Sequence, residues 1–156
     1  MSYEINDYTP SEVTLTFGGY QVEGWDQISI ERSSPVFRQV KGIRGKHTRV
    51  REFDSSATIT FGVLQTSSTN DYLSEILRRD EEWGTGRLSI LLKDKSGNSV
   101  FSSEEGYIVG YPKVDFGEEI VFRPWTIFCQ STVDFTVGGN DLPPPSAIKQ
   151  AIELFK

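Results

Sequence analysis

Apolar and polar residues alternate over much of the first third of the chain. Residues 12–17 and 20–32 show this period of two on either side of the pair Gly18-Gly19, and residues 57–63 show it without interruption. A period of two places every second side chain on the same face of a β-strand, where it can be buried. The pattern therefore predicts two strands joined by a glycine bend, and a third strand after residue 54.

The second half of the chain is predicted to form a meander of further strands. Pro124 has no N–H group to donate and favours a bend or an edge position. The last strand is expected to be broken or bulged near Gln130 and Ser131. The five predicted strands span residues 88–93, 99–102, 107–111, 119–122 and 125–137.

One helix is predicted between these two groups of strands. An apolar stripe at helical spacing predicts it over about residues 70–80. Ser68 and Asp71 have the spacing of a capping box at its start. Arg78 and Arg79 are expected in its last turn, where cations are favoured. The stripe consists of Tyr72, Leu73, Ile76 and Leu77.

The chain divides into a body, residues 1–141, and a short tail, residues 142–156. Three consecutive prolines near the start of the tail predict a stiff, extended spacer. A helix as short as the one predicted after it is marginal in water, so it needs a surface to pack against. Its amphipathic stripe, at positions i, i+3, i+4 and i+7, consists of Ile148, Ala151, Ile152 and Phe155.

Residues 33–54 differ from the rest of the chain in charge and in pattern. The segment holds six of the sixteen basic residues, and no acidic residue occurs between Glu31 and Glu52. Without those six, the chain carries ten basic and twenty-two acidic residues. The apolar residues of the segment follow neither the period of a strand nor that of a helix. The segment is therefore predicted to be a long projecting loop, and loops of this length are usually functional or disordered.

The whole-chain totals fit one globular domain. At 156 residues, the chain is long enough to bury a core without disulfides or metals. Its single cysteine fits a reducing compartment. The sequence shows neither an N-terminal signal peptide nor an apolar run long enough to cross a membrane. These totals predict a soluble protein that is made in the cytoplasm and has no membrane partner.

Candidate catalytic and ligand-binding residues are few. His47 and Cys129 are the only histidine and the only cysteine, and they occur in the basic loop and in a predicted strand. Adjacent acidic residues on a strand point to opposite faces, which disfavours catalysis by paired carboxylates. Residues 42–46 contain two glycines and a lysine but lack the spacing of a phosphate-binding P-loop. The sequence predicts no enzyme, no cofactor and no metal site.

We interpret the basic loop as a surface for contact with another copy of the chain. Its one aromatic residue between positions 33 and 51, Phe37, is too little for the interleaved stacking and charge of nucleic-acid binding. An acidic body with a basic arm is complementary to itself from head to tail, and such contacts close into rings or extend into tubes. The alternative is a monomeric β-sandwich module that binds carbohydrate or nucleic acid through the loop.

The predicted contact residues of the loop are both apolar and basic. Burial of the apolar side chains would supply most of the affinity, and the charges would set register and rate. The acidic cluster Asp80, Glu81 and Glu82 is a candidate partner surface. The predicted contact residues are Val36, Phe37, Arg38, Val40, Lys41, Ile43, Arg44, Lys46, Arg49 and Arg51.

Short motifs follow one another in order along the chain: TFGGY at 16–20, EGW at 23–25, ISIE at 28–31, ATITF at 57–61, LQTS at 64–67, ND at 70–71, LS at 73–74, and ILLKD at 90–94 with Gly97. Together with the glycine bend, the long charged loop and the single helix, this order resembles that of tail tube proteins from contractile-tailed bacteriophages. The resemblance covers residues 12–137.

The resemblance implies a mainly β fold, sandwich-like or barrel-like, with one flanking α-helix, a long loop after the second strand and a short C-terminal helix. It also implies a homo-hexameric ring whose inner strands join, with rings stacked into a tube and the loop reaching an adjacent subunit or ring. Sheath, baseplate or initiator, and terminator proteins would contact such a tube, and DNA would pass through it without specific binding. The implied location is the virion tail, assembled in the host cytoplasm.

Overall fold

Antiparallel strand pairing organises most of the protein. The structure is a computed structural model that describes residues 8–139 and 152–154. A short 3₁₀ turn, Pro10–Glu12, precedes the first strand. The elements that follow in this described part are β1 (Val13–Phe17), β2 (Tyr20–Gln21), β3 (Trp25–Arg32), β4 (Phe37–Lys41), β5 (His47–Arg51), β6 (Ala57–Leu64), α1 (Thr69–Trp83), β7 (Leu88–Asp94), β8 (Val100–Ile108), β9 (Phe122–Cys129) and β10 (Asp134–Thr136).

Eight of these strands form one sheet, which coils so that its two halves share a core. The strand order is β2-β1-β7-β8-β9-β6-β3, with β10 beside β8, while β4 pairs only with β5. β7, β8 and β9 separate β1 from β6 in this order. Nevertheless, Leu15 and Phe17 of β1 lie in the same buried cluster as Ile59 and Phe61 of β6. The mainly β, sandwich-like fold predicted from the sequence is confirmed.

The core is built around β6, which pairs with β3 on one side and with β9 on the other. Its apolar residues Ala57, Ile59, Phe61 and Val63 are all buried, as the alternation predicts. Burying one large apolar side chain contributes roughly 1.5–3 kcal/mol. β6 therefore contributes a large share of the stability of the body.

Helix α1 packs its apolar stripe on the core through buried Leu73 and Leu77. The predicted capping box is wrong by one residue: the backbone N–H of Thr69 donates to Ser67 Oγ at 3.2 Å, and the side chain of Ser68 makes no cap. Ser68 already has helical backbone angles, whereas a capping residue is typically extended.

The helix also continues three residues beyond the predicted end. It stops at Gly84, whose φ of +67° suits the left-handed conformation of a helix terminus. Arg78 and Arg79 consequently lie before its last turn and pair with Glu75 at 2.8 and 3.1 Å. The expectation that the two arginines lie in the last turn is wrong.

Two strands predicted separately at 99–102 and 107–111 are one strand, β8. Ser103 and Gly106 occupy inward positions where the sequence pattern requires a large apolar residue. A Cβ atom on Gly106 would lie 3.3 Å from Ile127 Cγ2, so the close approach of β9 favours a glycine there. A strand predicted at 119–122 is also wrong, because only Phe122 belongs to β9.

The expected break in the last strand is confirmed. β9 pairs with β8 through residues 106–108, and β10 pairs with the same strand through residues 100–102. Pro124 lies in β9 beyond its pairing with β8, so it has only Gly62 of β6 opposite it. The proline is therefore tolerated in a strand that is otherwise interior.

The predicted tail falls almost entirely outside the described residues. The proline spacer at 142–146 and most of the predicted C-terminal helix are among the residues that are not described. Ile152 and Leu154, which are described, are exposed.

Candidate assembly surface

The segment predicted as a loop is a β-hairpin, made of β4 and β5. Five residue pairs run from Phe37 opposite Arg51 to Lys41 opposite His47. The backbone N–H of Glu52 donates to Val36 O at 2.8 Å and extends the ladder. The prediction of a loop is therefore corrected. Neither strand has a residue buried in this subunit, so no run of inward apolar residues identifies a strand in the sequence.

The two strands are joined by a glycine-containing turn, residues 42–46. The N–H of Gly42 donates to Lys46 O at 2.8 Å, and the N–H of Gly45 donates to Gly42 O at 2.9 Å. Gly45 has a φ of +84°, a conformation that other residues rarely adopt. Ile43 lies at the tip of this turn and is fully exposed.

The hairpin has two different faces. Cross-strand partners share a face and alternate residues change face, so Phe37, Lys41, Arg49 and Arg51 lie together. We call this the basic face; on it the guanidinium of Arg49 lies 4.3 Å from the centre of the Phe37 ring. A cation–π contact of this kind keeps an exposed aromatic ring partly covered.

The opposite face carries the β-branched residues Val36, Val40 and Val50, and we call it the valine face. Arg38 shares this face and pairs with Glu52 next to the valines. The ten predicted contact residues thus divide between the basic face, the valine face and the tip, where Ile43, Arg44 and Lys46 lie.

The base of the hairpin is fixed to the sheet. A guanidinium N–H of Arg32 donates to Asp54 O at 3.0 Å, and the Thr132 hydroxyl donates to Ser55 O at 2.7 Å. The backbone N–H of Ser56 donates to the Asp54 carboxylate at 3.0 Å, and this hydrogen bond is the main cause that lowers the pKa of Asp54. The hairpin therefore projects from a defined position on the body.

The acidic cluster lies at the end of α1. The Asp80 carboxylate accepts the backbone N–H of Gly86 at 3.0 Å, so it is already used within the subunit. Glu81 and Glu82 are exposed. Among the ion pairs of the described chain, none joins this cluster to the hairpin.

Sequence reasoning missed a second exposed surface, residues 109–121, which we call the apolar loop. Almost every residue between β8 and β9 is exposed, including large apolar side chains. Gly110, Pro112 and Gly117 disrupt any period, and the sequence predicts only a strand that ends at residue 111 and another that begins at residue 119. The signal that could have identified it is the density of unpatterned apolar residues, Val109, Tyr111, Val114, Phe116 and Ile120.

The described residues offer no chemistry for catalysis by the two singular side chains. Cys129 is wholly buried in β9, and burial raises the pKa of its thiol to about 11. His47 lies on the exposed hairpin, away from the core. No group of three potential metal ligands occurs in the described part of the chain. No helix in that part is long and apolar enough to cross a membrane.

An open groove of about 530 Å³ lies between β3 and the β8–β10 region. Its walls include Trp25, Ile28, Phe101 and Phe135, so it is largely apolar. Of its carboxylates, Asp94 already accepts the N–H and the hydroxyl of Ser96, at 3.0 and 2.7 Å. Its other carboxylate, Asp26, accepts the backbone N–H of Gln27 at 2.7 Å, so both carboxylates already have hydrogen-bond partners within the subunit.

One curated relative matches nearly the whole sequence. Structural protein ORF10 of Pseudomonas phage KPP10 is 31% identical to this chain over 157 aligned positions, which cover 94% of the chain and 90% of the relative. No protein-family model matches the sequence.

Several solved structures share the fold at low sequence identity. A chain from the tube-terminating cap of the anti-feeding prophage has a TM-score of 0.62 at 11% identity. The match covers 87% of this chain and 95% of the cap chain. The sheath–tube complex of the extracellular contractile injection system PVC has a TM-score of 0.59 at 10% identity, with 83% and 93% covered. A chain from the tail of an empty GTA particle, computed with C6 symmetry, has a TM-score of 0.60 at 9% identity, with 84% and 100% covered.

Proposed function

This chain belongs to the family of phage structural proteins that includes ORF10 of Pseudomonas phage KPP10, and on that premise we propose that it is a subunit of the inner tube of a contractile tail. The tube and tail structures that share its fold support this assignment. The tail tube resemblance noted from the sequence is confirmed at the level of the fold, and the family shown is that of a phage structural protein. The proposed role is structural, without catalysis, and its place is the virion tail.

The hairpin is the observation that carries the proposal. A two-stranded hairpin by itself is marginally stable in water. This one nevertheless exposes Val36, Phe37, Val40 and Ile43, which are between 40% and 107% exposed. Exposed apolar residues on a projecting element mark a contact surface. The hairpin is proposed to be covered by a neighbouring subunit.

Ring formation is proposed to use the free edge of the sheet. β3 is the last strand in the sheet order, so the eight residues Trp25–Arg32 present one unpaired edge. An exposed edge of this length pairs with another chain unless something blocks it. Six copies would join in this way into a closed ring. The exposed Glu81 and Glu82 offer such a lateral neighbour an acidic surface.

A tube of these rings would be a conduit for DNA. Acidic residues outnumber basic residues in the chain, twenty-two to sixteen, and six of the basic residues lie on the hairpin or its turn. A tube wall made mainly from the acidic body repels phosphates at close range, so DNA would slide without specific binding. A sheath would lie outside, with initiator or baseplate proteins and a terminator at the ends.

Negative-stain electron microscopy and sedimentation over a series of protein and salt concentrations test this function. The wild-type chain is expected to form six-fold rings and hollow tubes. The variant Arg44→Glu/Lys46→Glu changes the hairpin tip and should shorten or abolish tubes. The matched control Arg87→Glu/Lys95→Glu makes the same change in charge at two exposed positions of the body and should assemble like wild type.

A chain that stays monomeric at every concentration would contradict the tube and favour the monomeric binding module. Tubes of normal length from the hairpin variant would contradict the role of the hairpin. A circular dichroism spectrum like that of wild type would show that the variant subunit is folded.

A further inference from the structure

The hairpin and the end of the apolar loop lie at opposite ends of the same strands. Arg32, Ala57 and Cys129 are paired across β3, β6 and β9, and the hairpin leaves the sheet at this row. At the other end of β6, Leu64 is paired with Phe122, which the apolar loop immediately precedes. Seven residue steps along β6 separate the two ends by about 23 Å.

The apolar loop exposes more large side chains than a solvated turn requires. Val109, Tyr111, Phe116 and Ile120 are 60%, 56%, 78% and 63% exposed. Clustered apolar residues of this kind mark interaction sites on soluble proteins. The loop is also acidic, since it carries one lysine, Lys113, against Asp115, Glu118 and Glu119.

Both ends of the apolar loop are attached to the sheet. The backbone N–H of Val109 donates to Thr126 O at 3.1 Å. At the other end, the N–H of Gln65 donates to Val121 O at 3.0 Å, and the N–H of Val121 donates back to Gln65 Oε1 at 3.3 Å. The start of the loop is therefore fixed beside Thr126, which pairs with Thr60 midway along β6, and its end is fixed beside Gln65, at the end of β6 away from the hairpin.

Charge and polarity make the two surfaces complementary. The hairpin carries Lys41, Arg44 and Lys46 around the apolar tip residue Ile43, whereas the loop combines carboxylates with aromatic and aliphatic side chains. Opposite charges favour the encounter, and burial of the apolar side chains stabilises the contact. Because the surfaces lie at opposite ends, a copy displaced along the strands brings its apolar loop to the hairpin.

We infer that the apolar loop of one subunit binds the hairpin of a second copy of this chain in the next ring. This inference rests on the proposed tube function and supplies the partner surface of the hairpin. The contact is heterologous and does not close, so it repeats along the tube.

The acidic cluster at the end of α1 is the rival partner for this contact. Leu88, at the start of β7, is paired with Gly106, which is paired with Cys129 and through it with Ala57. The helix therefore returns the chain to the row from which the hairpin projects. Its acidic end is suited to a lateral neighbour in the ring, whereas an axially displaced copy presents the apolar loop.

Disulfide cross-linking of the assembled full-length protein discriminates between these partners. The variant Ile43→Cys/Ile120→Cys joins the hairpin tip to the apolar loop, and the matched variant Ile43→Cys/Glu81→Cys joins it to the rival cluster. The native Cys129 is buried and should not interfere. Under mild oxidation we expect the first variant to form a ladder of intermolecular disulfides, with about tenfold more product than the second or either single variant.

Charge exchange provides an independent test with a gain of function. Adding Glu118→Lys/Glu119→Lys to the tip variant Arg44→Glu/Lys46→Glu should restore most of an about tenfold loss in tube yield. Adding Glu81→Lys/Glu82→Lys instead should not restore it.

The outcomes separate the inference from the function on which it rests. Normal tubes that cross-link only through Glu81→Cys, or that do not cross-link at all, would overturn the loop assignment alone. Rescue by the reversal at Glu81 and Glu82 would do the same. Failure of the wild-type chain to form any ring or tube would overturn the proposed function and this inference with it.

Discussion

The pairs β6–β9 and β4–β5 are both antiparallel ladders, but they differ in what their side chains contact. β6 and β9 are joined by eight residue pairs, and alternate residues are buried along β6 and from Trp125 onward in β9. β4 and β5 are joined by five pairs, and neither strand has a buried residue. The first pair lies in the core of the subunit, and the second projects from it.

Backbone hydrogen bonding therefore does not distinguish a structural strand pair from an assembly element. A hydrogen bond gained on folding replaces one made with water and contributes only about 0.5–1.5 kcal/mol. Burial of apolar surface contributes more, and only β6–β9 buries it within one subunit. Substitutions in the body should change the stability of the monomer, whereas substitutions in the hairpin should change assembly.

The largest expected contrast is between two aromatic residues, Trp125 and Phe37. Trp125 is 1% exposed and Phe37 is 40% exposed. Trp125→Ala should lower the free energy of unfolding by about 3–5 kcal/mol. Phe37→Ala should lower it by less than about 1 kcal/mol and reduce tube yield instead. Chemical denaturation of the monomer and electron microscopy of the assembled protein measure the two effects.

A large loss of monomer stability in Phe37→Ala would contradict the contrast, because it would mean that the hairpin supports the core. Trp125→Phe is the control for the first substitution. It keeps an aromatic ring in the site and should cost less than the alanine variant.

A smaller contrast concerns polar contacts. The side-chain amide of Asn70 donates to Leu64 O at 2.9 Å and to Ser67 O at 3.1 Å, and its oxygen accepts the indole N–H of Trp125 at 3.0 Å. Asn70→Ala leaves the buried indole N–H of Trp125 unpaired and should lower the free energy of unfolding by about 1–3 kcal/mol. Glu52→Gln removes the exposed ion pair with Arg38 and should cost at most about 1 kcal/mol.

Denaturant midpoints of the two single variants test this second contrast. Equal losses of unfolding free energy in the two variants would show that exposure does not determine how much a polar contact contributes to stability. A double-mutant cycle between Asn70 and Trp125 should give a clear coupling energy, since the two side chains are directly hydrogen-bonded.

The last expected effect is the dependence of stability on pH, which is seen only away from neutral pH. Burial raises the pKa of Cys129 to about 11 in the folded protein, above its ordinary value. The stability that comes from burying the neutral thiol is therefore fully present below about pH 8.5 and is lost as the pH rises toward 11. Cys129→Ala should flatten this alkaline slope, measured by denaturation at each pH. An unchanged slope in the variant would assign it to other groups.

The hairpin responds at the opposite end of the pH scale. Hydrogen bonds from Ser56 lower the pKa of Asp54 at the hairpin base. The stabilising contribution of this carboxylate is present above its ordinary pKa and is lost as the pH falls through the lowered value. Acid should therefore loosen the base of the hairpin, whereas alkali should destabilise the core.

Elements with one buried face were predictable from the sequence. The strands at 13–17 and 57–64, the single helix and the break between β9 and β10 all correspond to predictions. In each case, the alternation of apolar residues records which side chains leave water. Charge also identified the hairpin segment as a distinct region, although not as a pair of strands.

Elements without a buried face, or with small residues in it, were not predictable. β4 and β5 were interpreted as a loop because nothing in this subunit covers them. β8 was divided in two because Ser103 and Gly106 face the core where a large residue was expected. The apolar loop is not predicted by the sequence pattern, because its apolar residues follow no period.

The sequence by itself determined the strand-rich core, its helix and the separation of basic charge from an acidic body, because local patterns of polarity and charge are written in neighbouring residues. Only the tertiary structure decided that the hairpin and the end of the apolar loop lie at opposite ends of β6. That relation depends on strand order and register between residues that are far apart in the chain, and no local pattern specifies it.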